Sequence, residues 1–311
     1  MQASAEKKRL GHHSISLCIC TMNRPEDLTK CLDSVFQSNV TPDEVIVSDD
    51  SPDPGPTKAV VKNYPAVTYQ TGPRLGLGPN RNACIRRVQS THLMFIDDDV
   101  CVPPDCFEIA YSLIGQTPES VITGYEMKHR SWEGEGTVKK ILPHNADFWG
   151  TMKIPVGDSD CCSVVMNSTI FPVSLFQEAL FDECLRYGYE ELDIARHAVS
   201  LGYKIVHKDS LWVNHYQSLV DRASNWDRVL ASQLYTTAKA YFFYEKSLPK
   251  ALAYTLFAPL KMTAGLIKQK DPKAVQKGVK ATVSAYQHFF SRKEKGFVSK
   301  RKSFSLAKAS R

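Results

Sequence analysis

The chain has no run of about 20 apolar residues of the kind that spans a bilayer. Its longest apolar stretch, Ala251–Ile267, is broken by Pro259 and Lys261. The opening segment MQASAEKKRLGHHS carries charge but no apolar run of about 7–15 residues behind it, so no secretory signal is expected and the cytosol is the default compartment. Nine cysteines make an odd set with no Cys-x-x-Cys pair and no histidines at zinc spacing, which excludes a zinc frame and reads as reduced thiols in the core. Glycine and proline, at 16 and 17 residues, stay near ordinary usage, which excludes collagen-like and low-complexity chains. What is present, 43% hydrophobic residues in a chain of 311, suffices for a sizeable core and excludes disorder throughout.

Acidic residues are scarce in one place only. Residues 268–311 hold thirteen of the 39 basic side chains and two of the 33 acidic ones, so this segment carries +11 while residues 1–267 carry −5. Such a tail is either a solvated extension or a surface for anionic lipid or nucleic acid.

Ile15–Cys20 is a short apolar, β-branched run, and after Pro25 the residues Leu28, Cys31, Leu32, Val35 and Phe36 recur at helical spacing. The unit repeats: strand Glu44–Ser48, helix near Thr57–Asn63, strand Val67–Gln70, helix from about Pro79 to Val88, strand His92–Ile96. This alternation predicts a right-handed parallel α/β sheet, whose ligands bind beyond the carboxyl ends of the strands. The stretch from about Trp132 to Asp160 loses its period and reads as a long loop. Then come strand Cys162–Phe171, helices Val173–Phe181 and Glu190–Leu201, and short strands Tyr203–His207 and Leu211–Asn214. Helices are expected over Asn225–Lys246, Pro249–Ile267 and Lys273–Phe290.

The strand ends carry Thr21-Met22-Asn23-Arg24, Asp49-Asp50-Ser51 and Asp97-Asp98-Asp99. One such cluster would be an ordinary turn, but three on one edge suggest a site. In LMFIDDDV an apolar strand delivers three adjacent carboxylates, whose mutual repulsion is relieved by a cation, and hard oxygen donors suit Mg²⁺ or Mn²⁺. Alternation along an extended chain puts Asp97 and Asp99 on one side.

The ordered motifs SLCICTMNR, EVIVSDDS, PNRNACI, FIDDDV and YEELDIARHAVSLGYKIV resemble the family 2 glycosyltransferases over about residues 14–218. The resemblance implies the GT-A fold, a Rossmann-like mixed sheet flanked by helices. It also implies a nucleotide-diphosphate sugar donor, a divalent cation and inversion at the anomeric carbon. The chain then divides into an N-terminal tail (1–13), the GT-A domain (14–218), a C-terminal helical region (219–290) and a basic tail (291–311). By the same resemblance Thr21, Asn23 and Arg24 form the nucleotide-contacting loop, and Asp50 accepts a hydrogen bond from the base, with Asp49 a lesser candidate. Arg81 and Asn82 face donor phosphate at the opening of a helix. Asp97 serves the ribose side and the metal, Asp98 stands beside it among the donor contacts, and Asp99 coordinates the metal directly. His215 of VNHYQS is a metal or diphosphate contact, with Ser218 beside it.

Inverting transfer needs a carboxylate to take the acceptor proton. Glu191 occupies the place where the family usually has Asp, with Glu190 and Asp193 as alternates, and an acidic first turn opposing the helix dipole is the plainer account of all three. Asp158 and Asp160 are weaker candidates for acceptor or donor-sugar contacts. The implied acceptor is a hydroxyl of a glycan or lipid-linked saccharide, as in cell-surface polysaccharide or glycolipid synthesis, and a UDP-sugar is the family-based lean for the donor. Phe242, Phe243, Tyr254, Leu256, Phe257, Leu260, Leu266 and Ile267 near Lys246, Lys250, Lys261 and Lys268 suit an interfacial surface, placing the enzyme at the inner face of a membrane. Two other readings stand beside this one: a degenerate transferase domain that binds lipid or nucleic acid, and a sugar nucleotidyltransferase. The second lacks its Gly-rich basic phosphate loop, and nucleic acid lacks an aromatic and basic platform.

Overall fold

The computed structural model describes residues 13–132, 136–156, 161–185, 188–217, 226–268 and 270–291. The candidates Asp158, Asp160 and Ser218, the first twelve residues and the tail from 292 on lie outside the described residues.

Five elements at the start follow the expected alternation: β1 (Ile15–Thr21), α1 (Pro25–Phe36), β2 (Glu44–Asp49), α2 (Gly55–Val61) and β3 (Val67–Thr71). Pro25 opens α1 with Glu26 and Asp27 in its first turn, and Leu28, Cys31, Leu32 and Val35 make its buried stripe. Next come α3 (Leu77–Ile85), β4 (His92–Asp97), β5 (Val100–Cys101), α4 (Cys106–Gln116) and β6 (Val121–His129). The aperiodic stretch holds three short strands, β7 (Lys139–Ile141), β8 (His144–Ala146) and β9 (Met152–Pro155). The rest comprises β10 (Thr169–Pro172), α5 (Glu190–Ser200), β11 (Ile205–Tyr216), α6 (Trp226–Lys239), α7 (Leu248–Lys268) and α8 (Ala274–Ser291).

The main sheet runs β3-β2-β1-β4-β10-β6-β11-β5, with β7 on β6. Strands β1 to β4 are mutually parallel, but β10 lies antiparallel between β4 and β6, and β5 and β7 are antiparallel to their neighbours. The four alternating strands are thus parallel as their period suggested, and the antiparallel β10, β5 and β7 complete the mixed sheet that the GT-A resemblance implied. Three boundaries differ. The run Cys162–Phe171 is a strand only from Thr169, after a 3₁₀ turn at Met166–Ser168. The helix expected over Val173–Phe181 is a 3₁₀ segment, Val173–Gln177. The two strands expected around residue 209 are one, with an irregularity between His207 and Trp212.

Alternation on the central strands builds two cores. Leu17, Ile19, Met94 and Ile96 join the layer with α1 and α4, while Cys18, Cys20, Leu93 and Phe95 join the layer with α3 and α5. All nine cysteines are free thiols and six are buried, as a reduced core requires. A third core forms between α6, α7 and α8 and takes in Leu185 and Trp149 from the sheet domain. Tyr254 and Leu266, expected at an interface, are buried in this third core.

Candidate active site

Pairing register places the polar strand ends in one row, because Thr21 stands opposite Asp49 and Cys20 opposite Asp97. The three aspartates after β4 then diverge. Asp97 stays at the rim, a third of its side chain exposed, and Asn167 Oδ1 accepts its backbone N–H at 2.9 Å. Asp98 turns inward and accepts hydrogen bonds from Thr21 Oγ1 at 2.7 Å and Arg24 at 3.0 Å. Burial outweighs the Arg24 charge there and pushes the carboxyl up to about 7. Asp99 lies 3.3 Å from the same guanidinium and 3.3 Å from His215 Nε2.

His215 reaches this point because β11 pairs with β5, directly after the aspartates. Its Nδ1 is 3.0 Å from Glu126 Oε2 on β6, and that oxygen also accepts from Asn167 Nδ2 at 3.2 Å. Burial disfavours the imidazolium, but hydrogen bonds to Asp99 and Glu126 outweigh it and hold His215 up to about 10. Ligand atoms of Asp97, Asp99 and His215 all lie within 4.8 Å of one another. Two carboxylates and an imidazole oriented by a buried carboxylate are a donor set that fits Mn²⁺ or Mg²⁺.

On the opposite side of the row, Asn23 adopts φ 57° and its N–H donates to Ser51 Oγ at 2.8 Å. Asp49 is wholly buried and holds its own turn, accepting from Ser51 N–H at 2.8 Å and Tyr69 OH at 3.0 Å. Asp50 accepts the Arg74 N–H at 2.9 Å, and burial raises its pKa. A Cβ on Gly72 would collide with the Asp50 carboxylate, so glycine is required for this approach.

Arg81 is 3% exposed and its guanidinium lies 5.8 Å and 5.5 Å from the ring centroids of Phe95 and Phe181. One terminal nitrogen is 3.5 Å from Asp97 and the other 3.5 Å from Glu190 on α5. That second nitrogen, NH1, and the Glu190 Oε2 atom are buried without a hydrogen-bond partner. Asn82 does not face the cleft: its amide donates to the Phe181 carbonyl at 2.9 Å and accepts the Phe181 N–H at 3.0 Å.

The chain enters α5 through Gly188 and Tyr189, both with left-handed φ. The helix-start acids then separate by partner. Glu190 faces Arg81, while Asp193 is 2.6 Å from Lys239 Nζ and accepts from Tyr244 OH at 3.2 Å. Glu191 is in no ion pair among the described residues, and burial together with the Glu190 charge raises its pKa against the pull of Arg81. The sequence reading missed Glu126, Asn167, Asp182 and Lys239. Glu126 had a signal, since alternation in VITGYEM sets it on the face of Ile122, which points into the core. Lys239 sits among apolar residues in LYTTAKAYFFY, but nothing in the chain order names its two partners.

The family model described as "Glycosyl transferase family 2" matches residues 16–171, just over half of the chain. The chain belongs to glycosyl transferase family 2. Among characterised relatives of this transferase, the amylovoran biosynthesis glycosyltransferase AmsE of Erwinia amylovora is 25% identical over 232 residues, covering 71% of this chain and 84% of the relative. The fold is shared with the mannosyltransferase PcManGT of Pyrobaculum calidifontis, solved with GDP-Man and Mn²⁺. That structure has a TM-score of 0.54 and 12% identity over 91% of this chain and 89% of that one. It is also shared with residues 1–349 of S. aureus TarS, at a TM-score of 0.50 and 15% identity over 91% and 92% of the two chains. The GT-A architecture of this family 2 enzyme thus extends to solved structures of very different sequence. No helix among its described residues is long and apolar enough to cross a membrane.

Proposed function

We propose that this glycosyltransferase performs metal-dependent, inverting transfer of a sugar from a nucleotide-diphosphate sugar to a hydroxyl of a glycan or lipid-linked saccharide at the inner face of a membrane. The carrying observation is the convergence of an Asp97–Asp99–His215 cluster, a buried Arg81 and Glu191, whose pKa burial and the Glu190 charge raise. Asp97, Asp99 and His215 would hold Mn²⁺ or Mg²⁺, and a cation there supplies charge that stabilises a departing diphosphate more than the intact donor. The neighbour solved with GDP-Man and Mn²⁺ supports that class of donor and metal, and the amylovoran relative supports a polysaccharide product.

Within this reading the loop of Thr21, Asn23 and Arg24 and the carboxylate of Asp50 bind the nucleoside. Arg81 NH1, buried without a hydrogen bond, faces the diphosphate, while Asp98 positions Arg24 and Asn82 positions the Phe181 segment. Glu191 takes the proton from the acceptor hydroxyl as its oxygen bonds to the anomeric carbon and the carbon–phosphate-oxygen bond breaks on the opposite face. The test is release of nucleotide diphosphate from a panel of UDP-, GDP- and dTDP-sugars with Mn²⁺, with Mg²⁺ and with chelator. Metal-dependent release that Asp99→Ala abolishes, with Glu191→Gln binding donor but failing to transfer, supports the assignment. No binding of any nucleotide sugar by the folded chain overturns it.

A further inference from the structure

Helices α7 and α8 turn Tyr254, Leu266 and a set of alanines inward, yet leave a line of large apolar residues outside. Ala258, Ala281 and Ala285 are buried in the third core, and Gly278 lies so close to Thr263 that a Cβ there would collide with its hydroxyl. Outward, Leu252, Leu256 and Leu260 follow one another at intervals of four on α7, and Val275, Val279 and Val283 do the same on α8. Leu256 is 66% exposed and Leu260 67%, so these leucines of a 21-residue helix add little to the core that Tyr254 and Leu266 of the same helix enter. An ordinary amphipathic helix turns this face inward.

The charge around the ridge has one sign. Residues 248–290 contain seven lysines and a single acid, Asp271, and Lys268, Lys270, Lys273 and Lys280 are exposed. Residues 291–311 add eight basic side chains against Glu294. A second copy of this face would set lysines against lysines, and the chain's own tail would bring further positive charge to a surface already positive.

We infer that the α7–α8 ridge is a docking surface for an anionic phospholipid membrane, its leucines and valines entering the acyl boundary and its lysines meeting the headgroups. Apolar insertion and basic flanks together give stable attachment where either alone is marginal. The membrane placement belongs to the proposed function, whereas this surface rests on exposure and charge alone. Loss of nucleotide-sugar turnover would therefore leave the surface standing, and failure of docking would leave turnover untouched.

The experiment is flotation of the full chain with vesicles of phosphatidylcholine and with vesicles of phosphatidylcholine plus phosphatidylglycerol, at low and high salt, beside light scattering in solution. The wild type floats with the anionic vesicles, weakly with the neutral ones, and less at high salt. Leu256→Asp combined with Leu260→Asp, both at exposed positions, lowers the vesicle-bound fraction relative to free protein by about tenfold or more, with an unchanged thermal melt. Lys268→Glu with Lys273→Glu removes the preference for anionic lipid. Absence of flotation, equal flotation with both lipids, or indifference to the aspartate pair overturns the inference. A dimer that the aspartate pair disperses assigns the ridge to a second copy, and flotation that appears only after removal of residues 291–311 assigns it to the tail; both also overturn it.

Discussion

Glu191 is in no ion pair among the described residues, and burial together with the charge of Glu190 outweighs the pull of Arg81 on its carboxyl. A base whose proton affinity is raised makes the rate climb with pH along an acid limb displaced above the ordinary glutamate value of 4.5. Glu191→Gln should remove that limb and about 10²–10⁴ of turnover, while nucleotide-diphosphate affinity by calorimetry stays the same. Stability should respond with the same sign at the two glutamates, because burial raises the pKa of both. The raised carboxyl favours the folded state only while protonated, a contribution lost as pH rises through the folded pKa, so Glu191→Gln raises the melting temperature at alkaline pH. Glu190→Gln should likewise raise the melting temperature at alkaline pH, since burial outweighs the Arg81 charge there and Arg81 keeps Asp97; a lowered one would show that the Arg81 pair dominates. At the metal cluster, Glu126→Gln should weaken Mn²⁺ affinity by about 10–100-fold without removing a ligand. The placement of Asp97, Asp99 and Glu191 was legible because each follows a recognisable strand or opens a recognisable helix, whereas Arg81, expected at the opening of a helix, lies more than a turn inside α3. The partners of Glu126 and Asn167 were not legible, since His215 lies 89 residues from Glu126 and Asp97 lies 70 residues from Asn167 in the chain.

Helix α6 is tied to the candidate site through Lys239, which is 2% exposed. Its ammonium is 2.6 Å from Asp182 and 2.6 Å from Asp193, so it clamps both ends of the segment that delivers Glu190 and Glu191. Tyr235 OH adds a 2.7 Å bond to Asp182. Burial alone would raise the Asp182 pKa, but Lys239 reverses the sign and holds it well below the usual range. A depressed carboxylate stabilises above its unfolded pKa and loses that contribution as pH falls. Lys239→Met should therefore flatten acid unfolding, cost about 3 kcal/mol or more at neutral pH, and lower turnover more than donor affinity; an unchanged turnover with an intact fold would show that α5 holds itself. At the β6–β11 crossing, a Cβ on Gly124 would strike the Leu211 carbonyl oxygen, and Gly124→Ala should cost about 1–3 kcal/mol of stability. The helices after residue 225 were legible in the sequence, whereas the start of β10 was not, since the strand read over Cys162–Phe171 begins only at Thr169, where β4 and β6 flank it.

Across the whole molecule, charge and packing divide the chain at different points. The acidic sheet domain and the basic C-terminal region separate near residue 268 by composition, yet Trp149 and Leu185 are packed into the helical core. Ending the chain at residue 217 should therefore yield an aggregating, inactive protein, since it bares Leu185 and leaves Asp182 and Asp193 without Lys239; a soluble, active fragment would contradict that. The family model matches as far as residue 171, and the contacts that hold α5 cross the boundary expected near residue 218. Lys239 lies 46 residues beyond Asp193 in the chain. During synthesis the segment carrying Glu191 thus leaves the ribosome before Lys239, which fastens it, has emerged. On the proposed assignment, a nascent chain would engage donor before it could transfer sugar, and catalytic competence would arrive late in translation, once α6 has cleared the exit tunnel.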